Sequence, residues 1–296
     1  MKKNLFLLLV LYHFTVSAQD DSVEIKFAPT LTEPGKPAGE KISQKIGKDG
    51  GKLISPDGRM ELIIPQDAVS SKTNISIQPV VNTLSPGKGN AYQLEPSGIT
   101  FQKPLQIIFH YTAKEAEGMM PEYKEIAWQD DKGQWYSLEN PVVDTIARTV
   151  TGSITHFSTW VFFDAFILQP AKAKVRVNRQ LDMFVVCTMP KPGTAGGMIT
   201  DETIPKQIRF STYVNGIKGG NAVAGTVSSV YGQAIRNVRY TAPANIPDQN
   251  PVAVSVETSN VKWNGRSHPR LKLVSNITII DKSFEITVTG YNKQHV

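Results

Sequence analysis

Apolar residues alternate with polar ones over short runs in this chain, and turn residues break the runs every few positions. The pattern is clearest around residues 94–109. Pro96, Ser97 and Gly98 lead into Phe101, Leu105, Ile107, Ile108 and Phe109, a loop feeding a buried β-strand. Upstream, Gly50-Gly51 opens a strand through Leu53 and Ile54. Ser55-Pro56-Asp57-Gly58 turns it, residues 60–64 return, and Pro65 closes the hairpin. Residues 73–80 set Ile75, Ile77 and Pro79 against Asn74, Ser76 and Gln78, a half-buried strand. Residues 125–129 and 134–138 flank the turn Asp130-Asp131-Lys132-Gly133, and residues 149–163 read as one long closing strand. A helical period is absent from this half, except for a short turn over 113–119.

The second half repeats the style. Residues 173–177 and 181–187 read as strands, and Gln169-Pro170 is the joint before them. Residues 208–214 alternate into the turn Asn215-Gly216, and short strands with turn signals follow to residue 256. Such spacing argues for a β-sandwich. The tail carries one more alternating strand through Phe284, Ile286 and Val288.

The N-terminus has the form of a secretory signal peptide. Lys2 and Lys3 precede an apolar stretch from Leu5, and Val16-Ser17-Ala18 offers small residues for cleavage between Ala18 and Gln19. The apolar part is shorter than the roughly 20 residues that a membrane helix needs. Residues 19–45 are polar and broken by Pro29, Pro34, Gly35, Pro37 and Gly39, and read as a flexible leader, with a candidate strand over 23–27. The expected organisation is a signal peptide (1–18), the leader (19–45), a first sandwich (46–165), a second (170–281), and a terminal strand and tail (282–296). No transmembrane segment is expected.

Three separated motifs carry a resemblance in the first half. They are Gly50-Gly51-Lys52-Leu53, then Leu62-Ile63-Ile64-Pro65-Gln66-Asp67-Ala68-Val69, then Leu94-Glu95-Pro96-Ser97-Gly98-Ile99-Thr100-Phe101 with Lys103-Pro104-Leu105. Together they resemble the ZU-five domain of zonula occludens scaffolds, netrin receptors and ankyrins. Gln66-Asp67-Ala68 stands where that family has Pro-Gly-Ala. In the second half, Val214-Asn215-Gly216, Gly219-Gly220-Asn221, Gly225-Thr226-Val227 and Tyr240-Thr241-Ala242-Pro243 resemble the immunoglobulin-like repeat of bacterial exported proteins. Thr212 occupies that repeat's usual Trp position, so Phe210 or Tyr213 is expected to fill the core. Both resemblances imply binding or structural modules without catalytic residues or cofactors.

Charge and cysteine change the picture little. Without residues 1–18 the formal charge falls from +6 to +4, since Lys2 and Lys3 leave. That is too mild to argue for nucleic acid. Cys187 is the only cysteine, so both halves must hold without an intramolecular disulfide. By alternation it shares a face with Met183 and Val185, as a buried thiol would.

Three constellations could carry chemistry. His156-Phe157-Ser158 resembles the self-cleavage site of certain death-domain scaffolds and inflammasome sensors, in which a serine hydroxyl attacks the preceding carbonyl with a histidine as base. In a regular strand His156 and Ser158 would stand about 6.5–7 Å apart. The base must come within roughly 3 Å, which calls for a bulge or for a second histidine such as His110. Trp263, Arg266 and Arg270 mix aromatic and basic character and could meet phosphates or a glycan, but Asn264-Gly265 is a strong two-residue turn signal and favours a solvated hairpin. Asp21-Ser22-Val23 and Asp144-Thr145-Ile146 resemble a short bacterial O-glycosylation motif at Ser22 and Thr145. The histidines show no metal-ligand spacing. The expected protein is all-β, with two sandwiches in tandem, secreted to the periplasm or cell surface of a bacterium. Its expected role is non-catalytic interaction, scaffolding or adhesion, through a protein or a cell-surface glycan. Self-processing between Phe157 and Ser158 and glycan-binding adhesion are the alternatives.

Overall fold

The computed structural model describes residues 31–281, apart from 85–86, 191–198, 204–209, 232–235 and 264–265. The expected signal peptide and cleavage point, the strand over 23–27, Ser22 and the C-terminal strand lie outside the described residues. What is described is β-structure, with 3-10 turns at Lys114–Ala116 and Pro121–Tyr123.

The first eleven strands are β1 (Ile42–Ile46), β2 (Gly51–Ile54), β3 (Met60–Ile64), β4 (Thr73–Val80), β5 (Ala91–Glu95), β6 (Leu105–His110), β7 (Lys124–Gln129), β8 (Trp135–Ser137), β9 (Val142–Asp144), β10 (Thr149–Ile154) and β11 (Thr159–Asp164). They form a six-stranded sheet, β1-β4-β5-β11-β7-β8, and a five-stranded sheet, β2-β3-β6-β10-β9. The expected strand after the 94–104 loop is β6. It buries Leu105, Ile107 and Phe109 and lies between β3 and β10. Their core also takes Ile75 and Ile77 from β4 and Tyr92 and Leu94 from β5.

The second eleven are β12 (Phe166–Gln169), β13 (Lys172–Arg176), β14 (Gln180–Pro190), β15 (Ile199–Thr203), β16 (Ser211–Val214), β17 (Ile217–Lys218), β18 (Gly220–Asn221), β19 (Gly225–Tyr231), β20 (Arg236–Thr241), β21 (Val252–Trp263) and β22 (Arg266–Ile280). One sheet runs β12-β14-β20-β19-β18 with β15 on β14, and the other runs β13-β22-β21-β16-β17. Cys187, Met183 and Val185 are buried together there, and Phe210 packs partly buried against the same cluster.

Three sequence expectations need adjustment. Residues 149–163 are not one strand. They split at 155–158, where the chain crosses from the five-stranded to the six-stranded sheet. The crossing accounts for apolar residues on both faces of β11. Trp160 and Phe162 enter the first core, while Val161 and Phe163 face outward to the second half. The second half begins before the Gln169-Pro170 joint, because β12 already pairs with β14. Finally, the described part of the leader is held in place. Residues 42–45 pair with β4, Leu31 bridges Gln134, and Pro37 bridges Val80. Thr32 Oγ1 accepts from Trp135 Nε1 at 2.8 Å, and Gln129 Nε2 donates to the Thr32 carbonyl at 2.7 Å. These bonds satisfy buried polar groups that the sheet alone would leave bare.

The two halves share a hydrophobic cluster. Val80, Ala91, Ala127, Trp135, Val161 and Phe163, on the outer face of the six-stranded sheet, join Phe166, Leu168, Ile199 and Leu271. Tyr123 meets Phe166 edge-on at 5.2 Å and His268 at 4.5 Å, and its hydroxyl donates to the Arg270 carbonyl at 2.9 Å. The seam has a backbone component too. β13 pairs with β22 only from Asn276 onward, which leaves residues 271–275 of β22 as an open edge. Residues 117–120 cover it. Val274 N donates to the Gly118 carbonyl at 2.7 Å, and Lys272 N lies 3.2 Å from Met120 Sδ. An uncovered edge invites pairing with another chain.

Beneath this seam sits a buried ion pair. Lys124 Nζ and Asp164 Oδ1 are 2.6 Å apart, with side-chain exposures of 0% and 3%. They stand opposite each other on β7 and β11. Lys124 also lies 4.8 Å from the Tyr111 ring centre. Burial pulls the Lys124 pKa down, and the Asp164 carboxylate opposes that.

Two outcomes are expected. Gly118 has φ +83°, and a Cβ there would stand 2.7 Å from the Val274 carbonyl oxygen. Gly118→Ala should therefore cost more than about 1 kcal/mol in denaturant unfolding and expose the β22 edge to protease. Asp164→Ala strands a buried ammonium and should cost about 3–5 kcal/mol, whereas the paired Lys124→Met/Asp164→Leu variant should recover most of it.

Candidate functional site: a polar cleft across the six-stranded sheet

The outer face of the six-stranded sheet changes character along its strands. Alternation sends Ile75, Ile77, Tyr92, Leu94 and Trp160 into the core, so Ser76, Gln93, Glu95, Thr159 and Gln129 point the other way. Further along the same strands the outward residues are Val80, Ala91, Val161 and Phe163, covered by the second half. The polar end stays open. It forms a cleft of about 820 Å³, walled by Pro34 of the leader, by Pro96 and Ser97, and by the 128–131 and 156–158 segments.

Charge in the cleft is largely balanced. Lys41 Nζ donates to Glu95 Oε2, and Ser76 Oγ donates to the same oxygen at 3.2 Å. The lysine holds the Glu95 carboxyl below the usual carboxylate range. Asp130 is occupied by its turn, where Oδ1 accepts from Lys132 N and Gln134 N and Oδ2 from the Tyr136 hydroxyl. Asp131 is exposed on the rim.

His156, Phe157 and Ser158 all line this cleft, in the crossover between sheets. The crossover sets them differently from a regular strand. Phe157 turns inward, 5% exposed, and meets Phe101 edge-on at 4.8 Å. The Ser158 hydroxyl donates to the Gln129 carbonyl. His156 packs against Trp128 at 4.5 Å and Trp160 at 5.3 Å, and its Nε2 is buried with no hydrogen-bond partner among the described residues. Burial pushes its pKa down. His110, the other candidate base, sits on β6 in the opposite sheet with Nε2 3.0 Å from Glu61 Oε1. The arrangement thus spends the Ser158 proton on a backbone carbonyl and bonds neither imidazole to that hydroxyl.

The remaining sequence candidates lie elsewhere. Trp263 and Arg266 stand opposite each other at the ends of β21 and β22, Asn264 and Gly265 lie outside the described residues, and Arg270 is exposed near the seam. Thr145 is exposed in the β9–β10 turn, where Asp144 Oδ1 accepts from the backbone of Ile146 and Ala147. Among the described residues, no group of three or more His, Cys, Asp or Glu side chains could hold a metal ion. No helix there is long and apolar enough to cross a membrane.

Ser76, Gln93, Glu95 and Thr159 escape sequence reasoning as a site. Each is an ordinary polar residue of an alternating strand, and only the strand order brings them together. Neither protein-family models nor curated proteins yield a match to this chain. The functional reading therefore rests on the cleft and its chemistry.

The His156 environment sets a pH dependence. Its folded-state pKa lies below the ordinary value, near 6.5. As pH falls through that value the unfolded chain takes up the proton first, so stability declines on the acid side. Thermal melts from pH 7.5 to 5 should show this decline, and His156→Gln should flatten it.

Proposed function

We propose that this chain is an exported, non-catalytic interaction module of the bacterial cell envelope, and that the cleft on the six-stranded sheet is its binding face. The observation that carries the reading is the split outer face of that sheet. Its apolar end is covered by the second half, while its polar end is left open over five strands. The Ser158 hydroxyl bonded to the Gln129 carbonyl favours a positioned loop over an activated nucleophile. The signal-peptide pattern of residues 1–18 supports export. The ZU-five-like and immunoglobulin-like motifs support binding and spacing roles for the two halves. In this reading the second half holds the first rigidly through the Tyr123–β22 seam.

Two measurements test it. Intact mass of the protein recovered from its host envelope should give one species starting at Gln19. Two fragments parted between Phe157 and Ser158, with the cut abolished in Ser158→Ala, would replace the proposal with a self-processing protein. Purified protein should also be retained on washed host envelopes, and Gln93→Lys, which places a cation on the cleft floor, should weaken that retention about tenfold without lowering the melting temperature.

A further inference from the structure

The floor of the cleft restricts what can lie in it. It crosses β1, β4, β5, β11 and β7, which are consecutive neighbours in the sheet. Four interstrand spacings of about 4.8 Å make it about 19 Å long, running across the strands. Along β4, β5 and β11 the backbone is paired on both sides. Ser76 stands between Ser43 and Glu95, and Gln93 between Gln78 and Thr159. An extended peptide that reads a sheet needs a free strand edge running alongside it. The interior of this floor has none, so a ligand there meets side chains only.

Those side chains are of one kind. Ser43, Asn74, Gln93 and Thr159 carry neutral hydroxyl and amide groups, and none makes a side-chain hydrogen bond within the described residues. Their neighbours Ser76, Gln78, Gln129 and Ser158 all do. Hydroxyls and amides both donate and accept, as do the hydroxyls of a sugar. One end of the floor is closed by the 156–158 segment and by Pro96 and Ser97, while the Trp128 and His156 rings pack together on the core side of the sheet. The charges exclude an anionic polymer. Lys41 is already paired with Glu95, and Asp131 adds a negative charge at the rim.

We propose that the cleft binds a linear, neutral oligosaccharide laid across the strands. The inference rests on the reading of the cleft as the binding face and names what that face takes. It is a different place on the fold from the Trp263–Arg270 hairpin.

The test is calorimetric titration of the full chain with cellohexaose, chitohexaose and mannohexaose, with polygalacturonate as the anionic control. At least one neutral hexasaccharide should bind saturably at one site. Gln93→Lys and Thr159→Ala should each weaken that binding about tenfold at unchanged melting temperature, and polygalacturonate should not bind. Absence of binding by all three neutral chains would overturn the proposal. So would binding that ignores both substitutions, or binding of polygalacturonate alone. If the oligosaccharides fail while envelope retention still drops in Gln93→Lys, the glycan assignment falls and the cleft stands as a protein-binding face. If retention is also indifferent to Gln93→Lys, the cleft is not the binding face at all.

Discussion

The outer face of the six-stranded sheet is where the two halves of the molecule meet and where the cleft opens, and both follow from what alternation puts there. A strand sends every second side chain outward. On β4, β5, β11 and β7 those outward residues are apolar at one end and polar at the other. Val80, Ala91, Val161 and Phe163 cannot stay in water without cost, so the second half covers them. Ser76, Gln93, Glu95 and Thr159 can, so that end stays open. The same strands therefore supply the dock and the candidate binding surface.

The seam between the halves is reinforced by geometry that hydrophobic contact alone would not specify. β22 is longer than its neighbour β13, and the unpaired stretch is closed by residues 117–120. Gly118 can do this because its positive φ brings a carbonyl close to a strand edge where a side chain would collide. Below it, Lys124 and Asp164 are paired in a place with little water, with Lys88 Nζ 3.4 Å from the other Asp164 oxygen. Desolvation of the two charges offsets much of the attraction between them, so the pair's net contribution to stability is smaller than the cost of removing one partner. Here it pins β7 to β11 at the root of the chain's passage into the second half.

The His156-Phe157-Ser158 crossover shows how position in a fold sets the meaning of a tripeptide. In a continuous strand, histidine and serine would share a face. In the crossover, Phe157 anchors the bend in the core, the serine hydroxyl closes onto Gln129, and the imidazole rests between two indoles. The same residues that suggest a cleavage reaction in the sequence line an open cleft on the six-stranded sheet.

Much of the fold is legible in the sequence because alternation and turn chemistry are local. The hairpin at 53–64, β6 after its Pro-Ser-Gly loop, the Asp130–Gly133 turn and the all-β class follow from residues within a few positions of one another. The burial of Cys187 beside Met183 and Val185 follows in the same way. The break at 155–158, the anchoring of residues 31–45, and the start of the second half at Phe166 are not legible, because each depends on partners far along the chain. Thr32 is fixed by Trp135, and β12 by β14. The cleft belongs to this second group. The sequence by itself determined which residues of each strand face outward and that Ser76, Gln93 and Thr159 are polar. Only the tertiary structure decided that β1, β4, β5, β11 and β7 lie side by side, since strand order is set by long-range pairing and by which apolar faces can bury one another.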